Sequence, residues 1–276
     1  MEEDKIKKAV RESYAKVATG SSCGCGSASG GCCSQTDKTQ EISKKMGYSK
    51  EELEKLPEGA DLGLGCGNPL ALASLKKGEV VLDLGSGAGI DCFLAAQEVG
   101  PEGRVIGVDM TPEMLEKARA NVYKSNYKNV EFRLGEIENL PVADGIIDIV
   151  ISNCVINLAP DKNRVFFEAF RVLKPGGRIM VSDIVLLKEL PEIIQNNMAS
   201  YIGCISGAII KADYLNAIRY AGFKDVKIMD EAVFPLSYIV SDETAFIFKN
   251  KMNLSEKQLK DLEDVVVSIK VSAIKQ

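Results

Sequence analysis

Apolar positions along this chain change period from one region to the next. From residue 78 onward, short runs of Val, Ile and Leu recur at Val80–Leu84, Val105–Asp109, Val130–Leu134, Ile147–Ser152 and Arg178–Ile184, with helix-length segments between most of them. Runs this short and this apolar are strands buried on both faces. The first intervening helix is expected over 88–99. The second begins at Thr111-Pro112, a capping residue followed by proline at the first helical position. The third covers about 161–173 and stops before Lys174-Pro-Gly-Gly177, a helix terminator and turn. Such βα units in succession predict an α/β fold, a doubly wound, mostly parallel sheet with helices on both faces.

The flanks read differently. Ile6, Val10, Tyr14 and Val17 share one face of an amphipathic helix within residues 1–19. Gly20 to Ser34 is almost wholly Gly, Ser, Ala and Cys, a flexible tract with nothing large to bury. Short helices are expected at 37–46 and 49–56. After the fifth strand, Pro191–Ile205 and Ala212–Ala221 read as helices, Lys224–Met229 as a strand, and Val265–Ile274 as a strand closing a hairpin-type pair that can run antiparallel and completes a seven-stranded sheet. Residues 231–262 carry no clear pattern. The organisation expected is an N-terminal helical and Cys-rich extension (1–60), a central sheet domain (61–230) and a C-terminal embellishment (231–276).

Composition narrows the function. With 276 residues, 46% hydrophobic and 26% charged, the chain is neither collagen-like nor wholly disordered. A net charge of −5 has the wrong sign for general binding to a phosphate backbone, so no nucleic-acid partner is expected. There is no signal core and no run of about 18 apolar residues, so no membrane partner and a cytoplasmic location are expected. There structural disulfides are not expected. Histidine is absent, which removes imidazole as base or metal ligand. The eight cysteines, at 23, 25, 32, 33, 66, 92, 154 and 204, are the soft groups that remain.

Val80-Val-Leu-Asp-Leu-Gly85-Ser-Gly87-Ala-Gly89-Ile is a buried strand feeding a glycine turn that opens a helix, where backbone N–H groups are free for a ligand. Its spacing is Gly-x-Gly-x-Gly, and position 90 is Ile, so the dinucleotide fingerprint is not met. The next strand ends in Asp109, placed to accept both hydroxyls of a ribose. This region, about residues 65 to 230, resembles the class I S-adenosylmethionine-dependent methyltransferases. The resemblance implies a Rossmann-like fold and S-adenosylmethionine as cofactor. It further implies a loop site of Asp83, Gly85, Ser86, Gly87 and Gly89, with Asp109 on the ribose and Met110 against adenine. Glu136 and Ile137 would belong to the adenine pocket, and Asn153 would face cofactor and substrate.

Among the thiols, Cys92 lies on the first helix beside Phe93 and Leu94 and reads as a core residue. Cys154 follows the fourth strand, at the end where open α/β sheets place their ligands. Cys66 stands between two glycines, and Cys204 lies among small residues after the fifth strand. Three converging thiolates suit a soft ion of trigonal preference, above all trivalent arsenic. The segments Leu56-Pro-Glu-Gly-Ala-Asp-Leu-Gly-Leu-Gly-Cys-Gly-Asn-Pro69 and Ile151-Ser-Asn-Cys-Val-Ile-Asn-Leu158, with Cys204, resemble the three dispersed cysteine motifs of the arsenite S-adenosylmethionine methyltransferases. That family's additional N-terminal cysteine would be Cys32 or Cys33.

The reading is therefore an enzyme that binds arsenite through Cys66, Cys154 and Cys204 and methylates it in arsenic detoxification. The resemblance implies a thioredoxin- or glutathione-type reductant as partner. The N-terminal arm is expected to shuttle arsenic or form a transient disulfide with a site cysteine, Cys66 foremost. Two rivals are a methyltransferase of a quinone or small organic acceptor, and a thiol-rich protein that sequesters soft metals.

Overall fold

The computed structural model describes residues 3–20, 33–65, 67–125, 127–190, 207–233 and 265–276. Its centre is one seven-stranded sheet, in the order β3-β2-β1-β4-β5-β7-β6. The strands are β1 (Val80–Leu84), β2 (Arg104–Asp109), β3 (Val130–Leu134), β4 (Ile147–Asn153), β5 (Leu173–Leu186), β6 (Lys224–Val233) and β7 (Val266–Ile274). The first five run parallel to one another. β7 runs antiparallel between β5 and β6, as its alternation had suggested.

Neighbouring residues on each strand feed opposite cores. Leu82, Ile106, Val150 and Ile179 pack with Phe166, Tyr214 and Phe223 on one face, whereas Val81, Val105, Ile149 and Met180 pack with Phe93 and Leu115 on the other. All four strand residues named for each face are at most 3% exposed, which is why these runs lack a polar alternation. The helices that cover the two faces are α5 (Ile90–Val99), α6 (Pro112–Lys124), α7 (Lys162–Val172) and α8 (Lys211–Tyr220).

Preceding the sheet are α1 (Glu3–Thr19), α2 (Cys33–Lys45), α3 (Lys50–Glu54) and the short α4 (Leu70–Ala73). α1 buries Ile6 and Val10 and lies against α6. Lys7 fastens it further, with Nζ 2.7 Å from Glu136 and 3.1 Å from Glu138. α3 carries a capping box, in which the Ser49 side chain accepts from the Glu52 N–H and Glu52 accepts from the Ser49 N–H. Beneath it Tyr48 and Leu53 pack on Leu94 of α5.

Two local expectations need correction. α5 starts at Ile90 rather than 88, because Gly89 takes a left-handed φ of +101° that ends the loop before the helix can begin. Lys174–Gly177 does not separate α7 from the strand. β5 already starts at Leu173, and pairing passes from Ile147↔Leu173 to Ile149↔Arg178, so the Pro-Gly-Gly piece is looped out inside the strand as a bulge. Between β3 and β4 the crossover is made without a helix by residues 135–146, with a bridge between Glu136 and Asn139. The expected helix Pro191–Ile205 lies outside the described residues, as do 234–262 and nearly all of the Gly/Ser/Cys tract. Among the described residues no helix is long and apolar enough to cross a membrane.

Candidate active site

β1 has β2 on one side and β4 on the other, so the chain order reverses there and a crevice opens above the C-terminal ends of β1 and β4. The glycine turn enters that crevice and is stitched to β2. The N–H groups of Gly85 and Ser86 both donate to the Val108 carbonyl, at 2.8 and 3.0 Å, and Gly87 N–H donates to Asp109 Oδ2 at 2.9 Å. The other Asp109 oxygen accepts from Thr111 N–H at 2.8 Å. Burial pushes the Asp109 carboxyl above its ordinary range, and the Thr111 and Gly87 N–H groups oppose that push.

Asp83 is buried beneath the turn, and burial raises its carboxyl well above the usual range, with the charges of Asp91 and Asp109 adding to the effect. The Cys92 thiol donates to Asp83 Oδ2 at 3.2 Å. Cys92 is fully buried among the aromatic and aliphatic residues of its face, as the core reading required. Ser86 Oγ is buried with no partner among the described residues. An orphaned hydroxyl and a carboxylate at the end of β2 fit a cofactor that brings its own polar groups to this turn.

The adenine-side residues are placed less simply. Met110 is half-buried and Ile137 is buried in the core. The Glu136 carboxylate, expected at an adenine edge, accepts from Lys7 of α1 at 2.7 Å. That pairing spans 129 residues and has no local signature in the sequence.

Cys154 follows β4 and is buried, with a left-handed φ of +61° that is rare for a residue with a side chain. Its N–H donates to the Ser182 carbonyl at 2.8 Å. Its sulfur is disulfide-bonded, which departs from the expectation that structural disulfides are absent, and the partner sulfur is outside the described side chains. Cys66, Cys204 and Cys32 lie outside the described residues, and Cys33 opens α2 with its side chain undescribed. The two glycines that flank Cys66 are described, and both are pressed onto the ends of β4 and β5. A Cβ on Gly65 would stand 2.9 Å from Asn153 Nδ2, and one on Gly67 would stand 2.2 Å from Ser182 Oγ. On the other side of Cys154, Val155 meets the glycine turn so closely that a Cβ on Gly85 would lie 2.3 Å from it. The glycines around Cys66 thus pack on β4 and β5, and the residue after Cys154 packs on the glycine turn.

Asn153 turns its amide toward the Gly65–Gly67 strip. Nδ2 donates to the Gly67 carbonyl at 2.7 Å, to Tyr48 Oη at 2.9 Å and to Asp91 Oδ2 at 3.2 Å. Sequence reasoning missed Tyr48 and Asp91. The one signal for Asp91 was a carboxylate on an otherwise apolar helix, and Tyr48 had none.

A second buried network sits on the opposite face. Asp183 Oδ1 accepts from Asn157 Nδ2 at 2.8 Å, and Oδ2 accepts from Tyr214 Oη at 3.0 Å. Burial pushes the Asp183 carboxyl up to about 7, against the hydrogen bonds from Tyr214 and Ile184 and the charge of Lys162. An unfolded aspartate releases its proton near pH ~3.9, so between that value and about 7 the folded chain binds the extra proton. This contribution to stability is fully present below the unfolded value and is lost as pH rises through the folded one. Chemical denaturation from pH 4 to 8 is expected to give a wild-type stability that falls relative to Asp183→Asn by on the order of a few kcal/mol. Parallel curves for the two proteins would mean that Asp183 is ionised in the fold.

The match to known proteins follows the sheet. A family model described as a methyltransferase domain matches residues 75–222. The arsenite methyltransferase of Halobacterium salinarum is 53% identical over 232 residues, covering 82% of this chain and 59% of the relative. The mouse arsenite methyltransferase is 39% identical over 64% of this chain and 49% of its own length. The chain thus spans between half and three-fifths of these curated relatives. Among solved structures, the crystal structure of an arsenic(III) S-adenosylmethionine methyltransferase from Chlamydomonas reinhardtii superposes with a TM-score of 0.64 at 31% identity, covering 85% of this chain and 73% of that one. By sheet order, by the domain matched and by these relatives, the chain belongs to the methyltransferase-domain family, in the branch that contains the arsenite enzymes.

Proposed function

We propose that this protein transfers methyl groups to trivalent arsenic held by Cys66, Cys154 and Cys204. The observation that carries the reading is that the glycines flanking Cys66 pack on Asn153 and its strand partner Ser182, while Val155, next to Cys154, packs on the glycine turn. S-adenosylmethionine, when bound, supplies an electrophilic methyl group on a sulfonium. Gly85, Ser86, Gly87 and Gly89 would hold its amino-acid end with Asp83 beneath, Asp109 its ribose, and Met110, Glu136 and Ile137 its adenine side. Asn153 fixes the ground between that turn and the thiols.

Arsenic bound by three thiolates keeps a lone pair, and that pair would form the new bond to the methyl carbon as the carbon–sulfonium bond breaks and S-adenosylhomocysteine leaves with its electrons. No proton has to be removed from such a nucleophile, which suits a chain without histidine. The work left to the protein is orientation and exclusion of water, with thiolate donation making the arsenic electron-rich. A sulfur already in a disulfide is not a thiolate and cannot ligate arsenic, so Cys154 must first be reduced. A dithiol such as thioredoxin, or two molecules of glutathione, would supply the two electrons and two protons and leave as a disulfide. Cys32 or Cys33 would serve as the relay thiol from the N-terminal arm.

The test is incubation of reduced protein with arsenite, thiol and methyl-labelled S-adenosylmethionine. Label is expected in methylated arsenicals. Label confined to a small organic acceptor, or arsenite bound without any transfer, would overturn the reading in favour of one of the two rivals.

A further inference from the structure

We propose that Tyr48 is a positioning residue for the arsenic site, bracing the strip that carries Cys66 through a buried hydrogen-bond junction with Asp91 and Asn153. The consequence for arsenite rests on the function proposed above, whereas the brace itself does not.

Four separate pieces of chain meet at this junction. Tyr48 stands between α2 and α3, Asp91 in the first turn of α5, Asn153 at the end of β4, and Gly67 directly after Cys66. The Tyr48 hydroxyl donates to Asp91 Oδ1 at 2.7 Å and accepts from Asn153 Nδ2 at 2.9 Å. The same Asn153 amide reaches Asp91 Oδ2 and the Gly67 carbonyl. Tyr48 is 3% exposed, and Asp91 is likewise 3% exposed, so neither group has water as a substitute partner.

A second tie runs alongside. Asn68, buried just beyond Gly67, donates to the carbonyl of Gly47 at 3.3 Å, and its Oδ1 accepts from the N–H groups of Leu70 and Ala71. The chain on the C-terminal side of Cys66 is therefore fastened to the Gly47–Tyr48 step twice, once by Asn68 and once through Asn153. α3 presents Tyr48 from one side, and the helix that opens from the glycine turn presents Asp91 from the other. The geometry thus ties the residues that follow Cys66 both to the step before α3 and to the helix that opens from the glycine turn.

Tyr48→Phe keeps the ring that packs on Leu94 and removes only the hydroxyl. In fully reduced protein, iodoacetamide labelling resolved by peptide mass spectrometry should show Cys66 reacting about tenfold faster in the variant. Cys92, fully buried and outside the brace, should not change. The KM for arsenite should rise by about tenfold while the affinity for S-adenosylmethionine measured by calorimetry stays within about twofold. Asp91→Asn, which replaces one of the two acceptor oxygens by an amide donor, should repeat the pattern if Tyr48→Phe proves too unstable to purify.

Unchanged Cys66 labelling in folded variants would overturn the brace. So would a parallel rise at Cys66 and Cys92, since that reports a general loss of packing. If the wild-type protein transfers no methyl group to arsenite, the proposed function fails, and the labelling result still decides whether Tyr48 holds the strip.

Discussion

Cys154→Ser is expected to reduce methyl transfer to arsenite by at least about a hundredfold while leaving S-adenosylmethionine affinity within about twofold. A hydroxyl at neutral pH stays protonated and is a hard, weak donor, so the soft ion loses one of its three anchors. Serine is close to cysteine in volume, so the contact of Val155 with the glycine turn should survive and the cofactor side should not move. The backbone supports a specific purpose at this position. A φ of +61° costs roughly 1 kcal/mol or more in a residue with a Cβ, and it is kept where a side chain must be aimed. Cys154→Gly tests that point in the same assay, because glycine is at ease at this φ yet carries no sulfur. Reduced Cys154→Gly should unfold no more easily than reduced wild type and should be as inactive as the serine variant. Wild-type turnover in Cys154→Ser would place the arsenic site elsewhere.

How far the sequence could be read depended on whether the forces involved were local. β1 and β3 were legible to the residue, because turn residues bound a nearly continuous apolar run in β1 and an alternation of Val130, Phe132 and Leu134 with charged residues in the edge strand β3. The end of α7 was legible too, but the bulge at Lys174–Gly177 was not. Proline and glycine announce a break in regular structure without saying whether the break ends a strand or interrupts one. The glycine turn, Gly85 to Gly89, and Asp109 are twenty to twenty-four residues apart in chain terms and belong to one βαβ unit, so their roles could be read together. The ties between Lys7 and Glu136 and between Tyr48 and Asn153 span 129 and 105 residues and depend on how α1 and α3 settle on the finished sheet. No periodicity or spacing records such a docking. That is why Glu136 was read as an adenine contact with its salt-bridge partner unseen, and why Asn153 was assigned to the cofactor with its tie to Gly67 unforeseen.

Asp109→Ala should weaken S-adenosylmethionine binding by roughly tenfold to a hundredfold, the range that corresponds to about 1.5–3 kcal/mol for hydrogen bonds to a charged acceptor. The carboxylate accepts from the N–H groups of Gly87 and Thr111, and the Thr111 hydroxyl and Met110 N–H also favour its charged form. The paired hydroxyls of a ribose would join these donors at a charged acceptor. The residue is only 9% exposed, so water does not compensate for the lost acceptor. The substitution also frees the Gly87 N–H, which loosens the turn where it approaches the ligand, and this pushes the expected loss toward the upper end of the range. Asp109→Asn separates the two contributions. Its carbonyl can still receive one backbone N–H, but its amide presents a donor where the hydroxyls need an acceptor. Calorimetry should therefore rank cofactor affinity as wild type, then Asn, then Ala, with arsenite binding by the reduced thiols preserved in all three. Equal cofactor affinity in folded Asp109→Ala would remove the ribose assignment and leave Asp109 as a brace for the glycine turn alone.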